Sequence, residues 1–308
     1  MANLFGIAAV QMQVVAWDSE KTLERMEQRL QYIRRVFPWV NLVCFPELSP
    51  TGVAPLELQP SGCTWDATVE VIPGPLTERL AAMARHFRVW LQPGSLYERD
   101  GEAVYNTALV FSPEGELVAR YRKMFPWRPW EDLAGGREFC TFDIPDVGCF
   151  GLCICYDGWF PEVIRTLVWM GAEVILHPSL TSTVDRSAEL IIEQAHAIFN
   201  QCYMVNVNAA PAAGCGRSIV VDPHGRILQQ ASAHEEILTE MIDLDLVRQV
   251  RELGSIGLNQ HLKQLRDFDG EFPIYAQGIR QGALFGNLGP LRLPRNLNYD
   301  HHQEENHD

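Results

Sequence analysis

The chain has 308 residues, 47% of them hydrophobic and 21% charged, with a formal net charge of -14. That length allows one large α/β domain or two smaller ones, with a core that needs neither disulfides nor metals. The acidic balance excludes nucleic acid and anionic membrane surfaces as default partners, because both select basic patches. No apolar run approaches the ~20 residues that span a bilayer.

The N-terminal stretch MANLFGIAAVQM lacks a basic region and a cleavage-like site and reads as a first strand. Eight cysteines, several inside apolar runs and none in a CxxC pair, fit a cytoplasmic protein with reduced thiols. Only Lys21, Lys123 and Lys263 are lysines among the 25 basic residues. Each therefore merits attention, since an ammonium and a guanidinium are not interchangeable at a site.

Leu4 to Met12 is a continuous apolar run, the mark of a strand buried on both faces. Asp18 or Ser19 caps a helix whose apolar positions Leu23, Met26, Leu30, Ile33 and Phe37 follow helical spacing. Asn41 to Phe45 is a second buried strand, stopped by Pro46, and a Pro- and Gly-rich loop runs from Ser49 to Pro75. A helix after Pro75 sets Leu76, Leu80, Met83 and Phe87 on one face. Val89 to Tyr97 is a strand, and Asn106–Phe111 and Glu116–Tyr121 form a hairpin around Pro113-Glu114-Gly115. Next come a strand at Gly151–Cys155, a helix at Pro161–Met170, a strand at Val174–Leu176, a helix at Arg186–Cys202 and a strand at Met204–Ala209. Ile219–Val221 and Ile227–Gln229 form a last hairpin around Pro223-His224-Gly225.

This order predicts one α/β domain over residues 1–285, with antiparallel hairpins added to buried strands. Periodicity fades after Gly254. Residues 255–295 are expected to be an irregular arm against the domain or a second subunit, and 296–308 a disordered polar tail. The tail's His301, His302 and His307 read as solvated, so no metal site is expected there.

Three segments place reactive side chains directly after buried strands. Val43-Cys44-Phe45-Pro46-Glu47 ends in a carboxylate suited to general-base work. Tyr121-Arg122-Lys123 sets an ammonium where it can stabilise a developing oxyanion. Gly151 to Glu162 runs from strand through a sharp turn at Cys155 into a helix, an arrangement that exposes a nucleophile and predicts a thiolate near the helix start. Taken singly, each is equally a surface strand end or an inert buried thiol. Cys153 and Cys155, on one strand face, lack a second pair that would make a metal site.

Together these segments resemble the nitrilase superfamily of carbon-nitrogen hydrolases. The family pattern, a Glu after Phe-Pro, a Lys after Tyr-Arg and a Cys in Ile-Cys-Tyr-Asp, reads here as Phe45-Pro46-Glu47, Tyr121-Arg122-Lys123 and Ile154-Cys155-Tyr156-Asp157. Phe160-Pro161-Glu162 and Gly171 to Leu176 also match, over a span of about residues 5 to 245. The resemblance implies a four-layer αββα sandwich that assembles as dimers or larger homo-oligomers through a shared helical face, without metal or cofactor. It assigns Cys155 as nucleophile, Glu47 as general base and Lys123 as oxyanion stabiliser. Aliphatic amidases of the family follow Tyr-Arg-Lys-x-x-Pro-Trp with a second glutamate; Glu131 fits that place, and Trp127 becomes a pocket wall.

The implied reaction is hydrolysis of a small, uncharged amide to acid and ammonia through a thioester on Cys155, with the Tyr156 N–H as a further oxyanion donor. Nitrile-hydrolysing members carry Cys-Trp-Glu where this chain has Cys155-Tyr156-Asp157. Carbamoyl-amino-acid hydrolases carry an arginine where this chain has Gly158 and Trp159. Ser179-Leu180-Thr181 stands where aliphatic amidases have Gln-Gly-Tyr, which makes Thr181 a pocket residue of a different shape. A nitrilase, an N-carbamoyl amide hydrolase, an acyl transferase and a catalytically silent binding protein are the alternatives.

Overall fold

In the computed structural model, which describes residues 2–52 and 61–276 together with 282, 285, 288, 290 and 291, the first strand already sets the architecture. β1 (Leu4–Gln11) sends Phe5, Ile7 and Ala9 into one apolar cluster and Ala8 and Val10 into another. Side chains alternate along a strand, so burial on both faces requires a layer on each side. One layer is helical. The Asp18 side chain accepts from the Lys21 N–H and opens α1 (Ser19–Val36), which adds Leu23, Met26, Leu30 and Ile33 to the cluster holding Ala8 and Val10.

β2 (Leu42–Cys44) lies parallel to β1. The following loop was expected to be irregular; its described part carries a short 3₁₀ helix and β3 (Val69–Glu70). α2 (Pro75–Phe87) starts on its proline and buries Leu76, Leu80 and Met83 beside α1's apolar face. The strand expected over Val89–Tyr97 is two strands, β4 (Trp90–Gln92) and β5 (Ser95–Asp100). Pro93 and Gly94 divide them, because proline gives no N–H to a ladder and Gly94 sits at φ +88. β6 (Ala103–Phe111) and β7 (Leu117–Arg122) form the expected hairpin.

The second half repeats the plan. β8 (Cys140–Ile144) pairs with β9 (Gly148–Leu152), a hairpin absent from the sequence prediction. β9 stops at Leu152, three residues short of the predicted end, and Cys155 opens a 3₁₀ helix that runs to Trp159. α3 (Pro161–Trp169), β10 (Val174–Ser179), α4 (Arg186–Asn200), β11 (Tyr203–Asn208), β12 (Ile219–Val221) and β13 (Ile227–Gln230) follow as expected. β14 (Glu236–Asp243) and α5 (Leu244–Leu253) were not predicted. The arm that begins at 255 is not wholly irregular: it carries α6 (His261–Asp267) and α7 (Pro273–Ala276). Most of 277–295 and all of the tail 296–308 lie outside the described residues.

Two sheets result. One has the order β14-β1-β2-β4-β6-β5-β3 with β7 on β6, the other β13-β12-β11-β10-β9-β8. Phe5, Leu42, Val110 and Tyr121 of the first meet Phe150, Leu152, Leu176 and Val205 of the second in one core. Ile175, Met204 and Ile219 face away from it, against Val163 and Leu167 of α3 and Leu190 and Ala197 of α4. The layers therefore run helix, sheet, sheet, helix: the four-layer αββα sandwich.

Gly94 ties this frame to Glu47, because a Cβ there would lie 1.8 Å from the Pro46 carbonyl oxygen. Gly94→Ala is expected to cost ~2 kcal/mol or more through strain and backbone clash and to displace the Pro46–Glu47 turn. A lower urea midpoint with reduced activity is the expected result.

Candidate active site

The site is built at the carboxyl ends of strands, where open α/β sheets present their functional groups. Glu47 follows β2. Its turn is pinned by Phe45 N–H on the Gln92 carbonyl (2.9 Å) and Leu48 N–H on Ser95 Oγ (3.0 Å). Glu47 N–H donates to the Ser179 carbonyl of β10 (3.3 Å), which links the two sheets. Lys123 comes directly after β7, its N–H on the Asn106 carbonyl (2.7 Å) and its carbonyl accepting from Gly136 N–H (2.8 Å).

Lys123 Nζ donates to Glu47 Oε1 (2.9 Å) and Glu131 Oε2 (2.8 Å). Asn106 Nδ2 donates to the same two carboxylates, at 2.8 Å to Glu47 and 3.0 Å to Glu131. Trp127 N–H caps Glu131 Oε2 at 2.8 Å. The three ionisable residues are only 2–3% exposed. Burial alone would drive the ammonium to lose its proton, but Glu47 and Glu131 outweigh it and hold Lys123 well above the ordinary lysine range. Burial also opposes ionisation of Glu131, yet Lys123 and the surrounding donors bring its carboxyl below the usual range. Lys123 is thus a fixed cation, and among the described residues only two of its three N–H donors have acceptors.

Cys155 sits at φ 43, a left-handed conformation that costs a non-glycine residue about 1–3 kcal/mol. Several contacts hold it there. Asp157 accepts from Ile154 N–H (2.9 Å) and the Tyr121 hydroxyl (2.8 Å) on one oxygen, and from Phe125 N–H (2.9 Å) on the other. Burial pushes the Asp157 carboxyl up to about 6, and these donors oppose the rise. His177 Nε2 lies 2.9 Å from the Cys155 carbonyl oxygen, and His196 Nε2 lies 2.7 Å from that of Gly158.

The thiolate predicted at this turn is not what the structure holds. Burial, followed by the charge of Glu47, pushes the Cys155 thiol well above the ordinary cysteine range, and Lys123 only partly opposes them. A short 3₁₀ turn does not outweigh desolvation beside a carboxylate. Nor do Cys153 and Cys155 share a face: Cys153 packs with α3 and α4, whereas Cys155 packs against the core between the sheets. Among the described residues, no group of three or more His, Cys, Asp or Glu side chains is placed to hold a metal ion.

Thr181 follows β10, its Oγ1 3.8 Å from Cys155 Sγ and donating to Glu189 Oε1 at 3.0 Å. Arg186 Nη1 pairs the other Glu189 oxygen at 3.1 Å. Trp127, Cys155, Tyr156, Thr181, Asp185 and Glu189 are among the residues lining a cleft of about 30 Å³. Of the residues singled out in the sequence, the structure places Glu47, Lys123 and Glu131 in one cluster, and Trp127, Tyr156, Cys155 and Thr181 along one cleft; sequence reasoning named them without showing how they group. It missed Asn106, whose signal was an amide inside an apolar strand. It also missed Glu189, Glu193 and His177. Glu189 and Glu193 stand four apart on α4 and read in sequence as an ordinary acidic helix face.

Comparison with known proteins gives the family and the fold. The carbon-nitrogen hydrolase family pattern matches residues 6–252. A formamidase of Bacillus cereus (strain Q1) is 31% identical over 244 residues, 76% of this chain and 71% of that protein. Nit3 of Saccharomyces cerevisiae, a member of branch 10 of the nitrilase superfamily, superposes with a TM-score of 0.72 at 26% identity, covering 81% of this chain and 93% of Nit3. A carbon-nitrogen hydrolase from Helicobacter pylori G27 gives 0.72 at 25% identity, with 87% and 96% covered. The chain belongs to the carbon-nitrogen hydrolase family of the nitrilase superfamily, enzymes that act on carbon–nitrogen bonds other than peptide bonds.

The state of the sulfur is measurable. Alkylation of Cys155 by iodoacetamide across pH, with Cys155→Ala subtracting the other thiols, is expected to show an inflection above the ordinary value of about 8.5. Glu47→Gln, which removes a nearby negative charge, should move the inflection down, and Lys123→Met should move it up. An inflection in the wild type at or below the ordinary value would contradict the assignment.

Proposed function

We propose that the protein hydrolyses a small, uncharged carboxylic amide to the acid and ammonia through a thioester on Cys155. The observation that carries this reading is a buried Glu47–Lys123–Glu131 cluster whose Glu47 and Lys123 charges act on a half-buried cysteine at a strained turn.

Because the sulfur rests as a thiol, its proton must leave as the carbon–sulfur bond forms. Glu47 takes that proton. The carbonyl oxygen, becoming negative, is met by the third N–H of Lys123 and by the N–H of Tyr156; one such donor is worth about 3 kcal/mol in the transition state. Glu47 returns the proton to nitrogen and ammonia leaves. Water, deprotonated by Glu47, then attacks the thioester, and the acid departs as the thiol is restored. Glu131 serves by aligning Lys123. Thr181 serves as an acceptor beside the sulfur, since its own hydroxyl proton is committed to Glu189.

The cleft favours a small acyl group, for a volume of about 30 Å³ takes little more than a solvent-sized group. Asp185 and Glu189 in its lining disfavour an anionic substrate. Position 158 has no room for the arginine of carbamoyl-amino-acid hydrolases, because a Cβ there would lie 2.6 Å from the His177 ring. The similarity to a formamidase supports formamide or a short aliphatic amide.

Ammonia release across amides, carbamoyl compounds and nitriles tests the reading. Simple amides should be the substrates, and Cys155→Ala should lower turnover by roughly 10⁴-fold or more with the fold intact. Amide hydrolysis that survives this substitution sinks the proposal; hydroxamate formation with added hydroxylamine in place of acid would mark an acyl transferase.

We further infer a homodimer or larger homo-oligomer formed on the outer helical layer, where Trp169 of α3, the adjoining Met170, and Ile191 and Phe199 of α4 stay exposed, with the arm from 255 adding contacts. Ile191→Asp is expected to shift the sedimentation coefficient to that of a smaller species. The eight free cysteines support a cytoplasmic location. Among the described residues no helix is long and apolar enough to cross a membrane.

A further inference from the structure

Behind Cys155 lies a second buried charged cluster that the reaction above does not use. His177 stands on β10 and Glu193 and His196 on α4, and all three are buried. The His177 ring lies against the backbone of the Cys155 turn so closely that Gly158 cannot carry a Cβ. Its Nδ1 is 2.6 Å from Glu193 Oε1 and its Nε2 is 2.9 Å from the Cys155 carbonyl oxygen.

Asn206 Nδ2 also lies 3.1 Å from Nδ1, but it donates to Ser179 Oγ at 2.9 Å, and the two shorter contacts of the ring, to Glu193 and the Cys155 carbonyl, decide its protonation. A carbonyl only accepts, and so does an ionised carboxylate, whereas a neutral imidazole donates from one nitrogen alone. Both contacts are hydrogen bonds only if both ring nitrogens carry hydrogen, provided Glu193 is ionised. Burial acts to raise the Glu193 pKa, but His177, with His196 and Arg186 adding to it, brings the carboxyl below the usual range, the direction that a 2.6 Å contact between the two charged groups requires. Burial likewise acts against a charged ring, yet Cys153 and Glu193 more than reverse this for His177. The Cys153 thiol is itself pushed up by burial, so Glu193 is the anion that pairs the ring.

The Cys155 carbonyl and the Tyr156 N–H are the two ends of one planar amide. A charged donor on the oxygen fixes the plane of that amide and draws electron density from its nitrogen. A charge-assisted bond is about twice as strong as a neutral one, and neighbouring bonds polarise one another in a low dielectric. We propose, resting on the thioester reading above, that His177 is a buried imidazolium, paired to Glu193, that orients the Cys155–Tyr156 peptide and strengthens the Tyr156 N–H as oxyanion donor. His177 and Glu193 are then positioning residues, acting on the transition state through one peptide bond.

The inference is tested with ¹⁵N-histidine NMR of the whole protein and with steady-state kinetics on the best amide. In the wild type at pH 8, both His177 ring nitrogens are expected to be protonated, assigned by loss of the signals in His177→Gln. In Glu193→Gln one of them loses its proton. Glu193→Gln should lower kcat about tenfold with KM nearly unchanged, since a donor is weakened and not removed. His177→Gln, which keeps at most a neutral donor, should lower kcat further. A wild-type ring with a single protonated nitrogen, or an unchanged kcat in folded Glu193→Gln, overturns the inference. If His177→Gln does not fold, two-bond couplings within the ring assign the signals and Glu193→Gln carries the kinetics. Activity retained in Cys155→Ala would strike the thioester reading instead, and the two failures are thereby distinct.

Discussion

Lys123 places one ammonium between two carboxylates where solvent does not reach, and the geometry of the site depends on that arrangement. Glu47 arrives from β2, Lys123 from β7 and Glu131 from the loop beyond it, so the ion cluster is also the point where three segments are held in register. Removing one member of such a buried set leaves an uncompensated charge, a loss of about 3–5 kcal/mol. Asn106 matters for the same reason, since its amide donates to both acids at once. With two acids and one base, the cluster carries an excess negative charge beside the sulfur. Burial first, and the Glu47 charge second, keep the thiol protonated at rest, and the same Glu47 supplies the base that removes its proton.

Much of this is legible in the sequence. β1, β2, α1 and α2 follow from apolar periodicity, and Glu47, Lys123 and Cys155 stand out because each follows a strand whose burial is plain in the sequence. What could not be read depends on pairing across long separations. β14 buries only Leu238 and Ile242 fully, too sparse a pattern to mark a strand without the partner that gives it a face. The hairpin of β8 and β9 was hidden because Gly148 and Gly151 dilute its apolar signal. The thiolate prediction failed for a related reason, since a strand-to-helix turn is a local feature and desolvation by a second sheet is not.

His177 shows how a polar residue inside a buried strand acquires a role. Between Leu176 and Pro178 it interrupts an apolar run, and the interruption is tolerated because both ring nitrogens have polar partners: Glu193 on α4, with Asn206 further off, at Nδ1 and the carbonyl of the Cys155 turn at Nε2. Gly158 belongs to the same arrangement: its missing side chain is the space the ring occupies. The identity of one residue after the nucleophile thus reflects packing behind the site as much as recognition in front of it.

β1 and β14 pair over their full length, from Leu4 against Asp243 to Gln11 against Glu236. β1 therefore waits for β14, made more than two hundred residues later, before its outer edge is covered. During synthesis that edge is an open row of amides and carbonyls, the kind of template on which chains aggregate. Contacts of such long sequence separation form slowly, so truncation just before β14 would remove no catalytic group yet leave the nascent sheet unsealed.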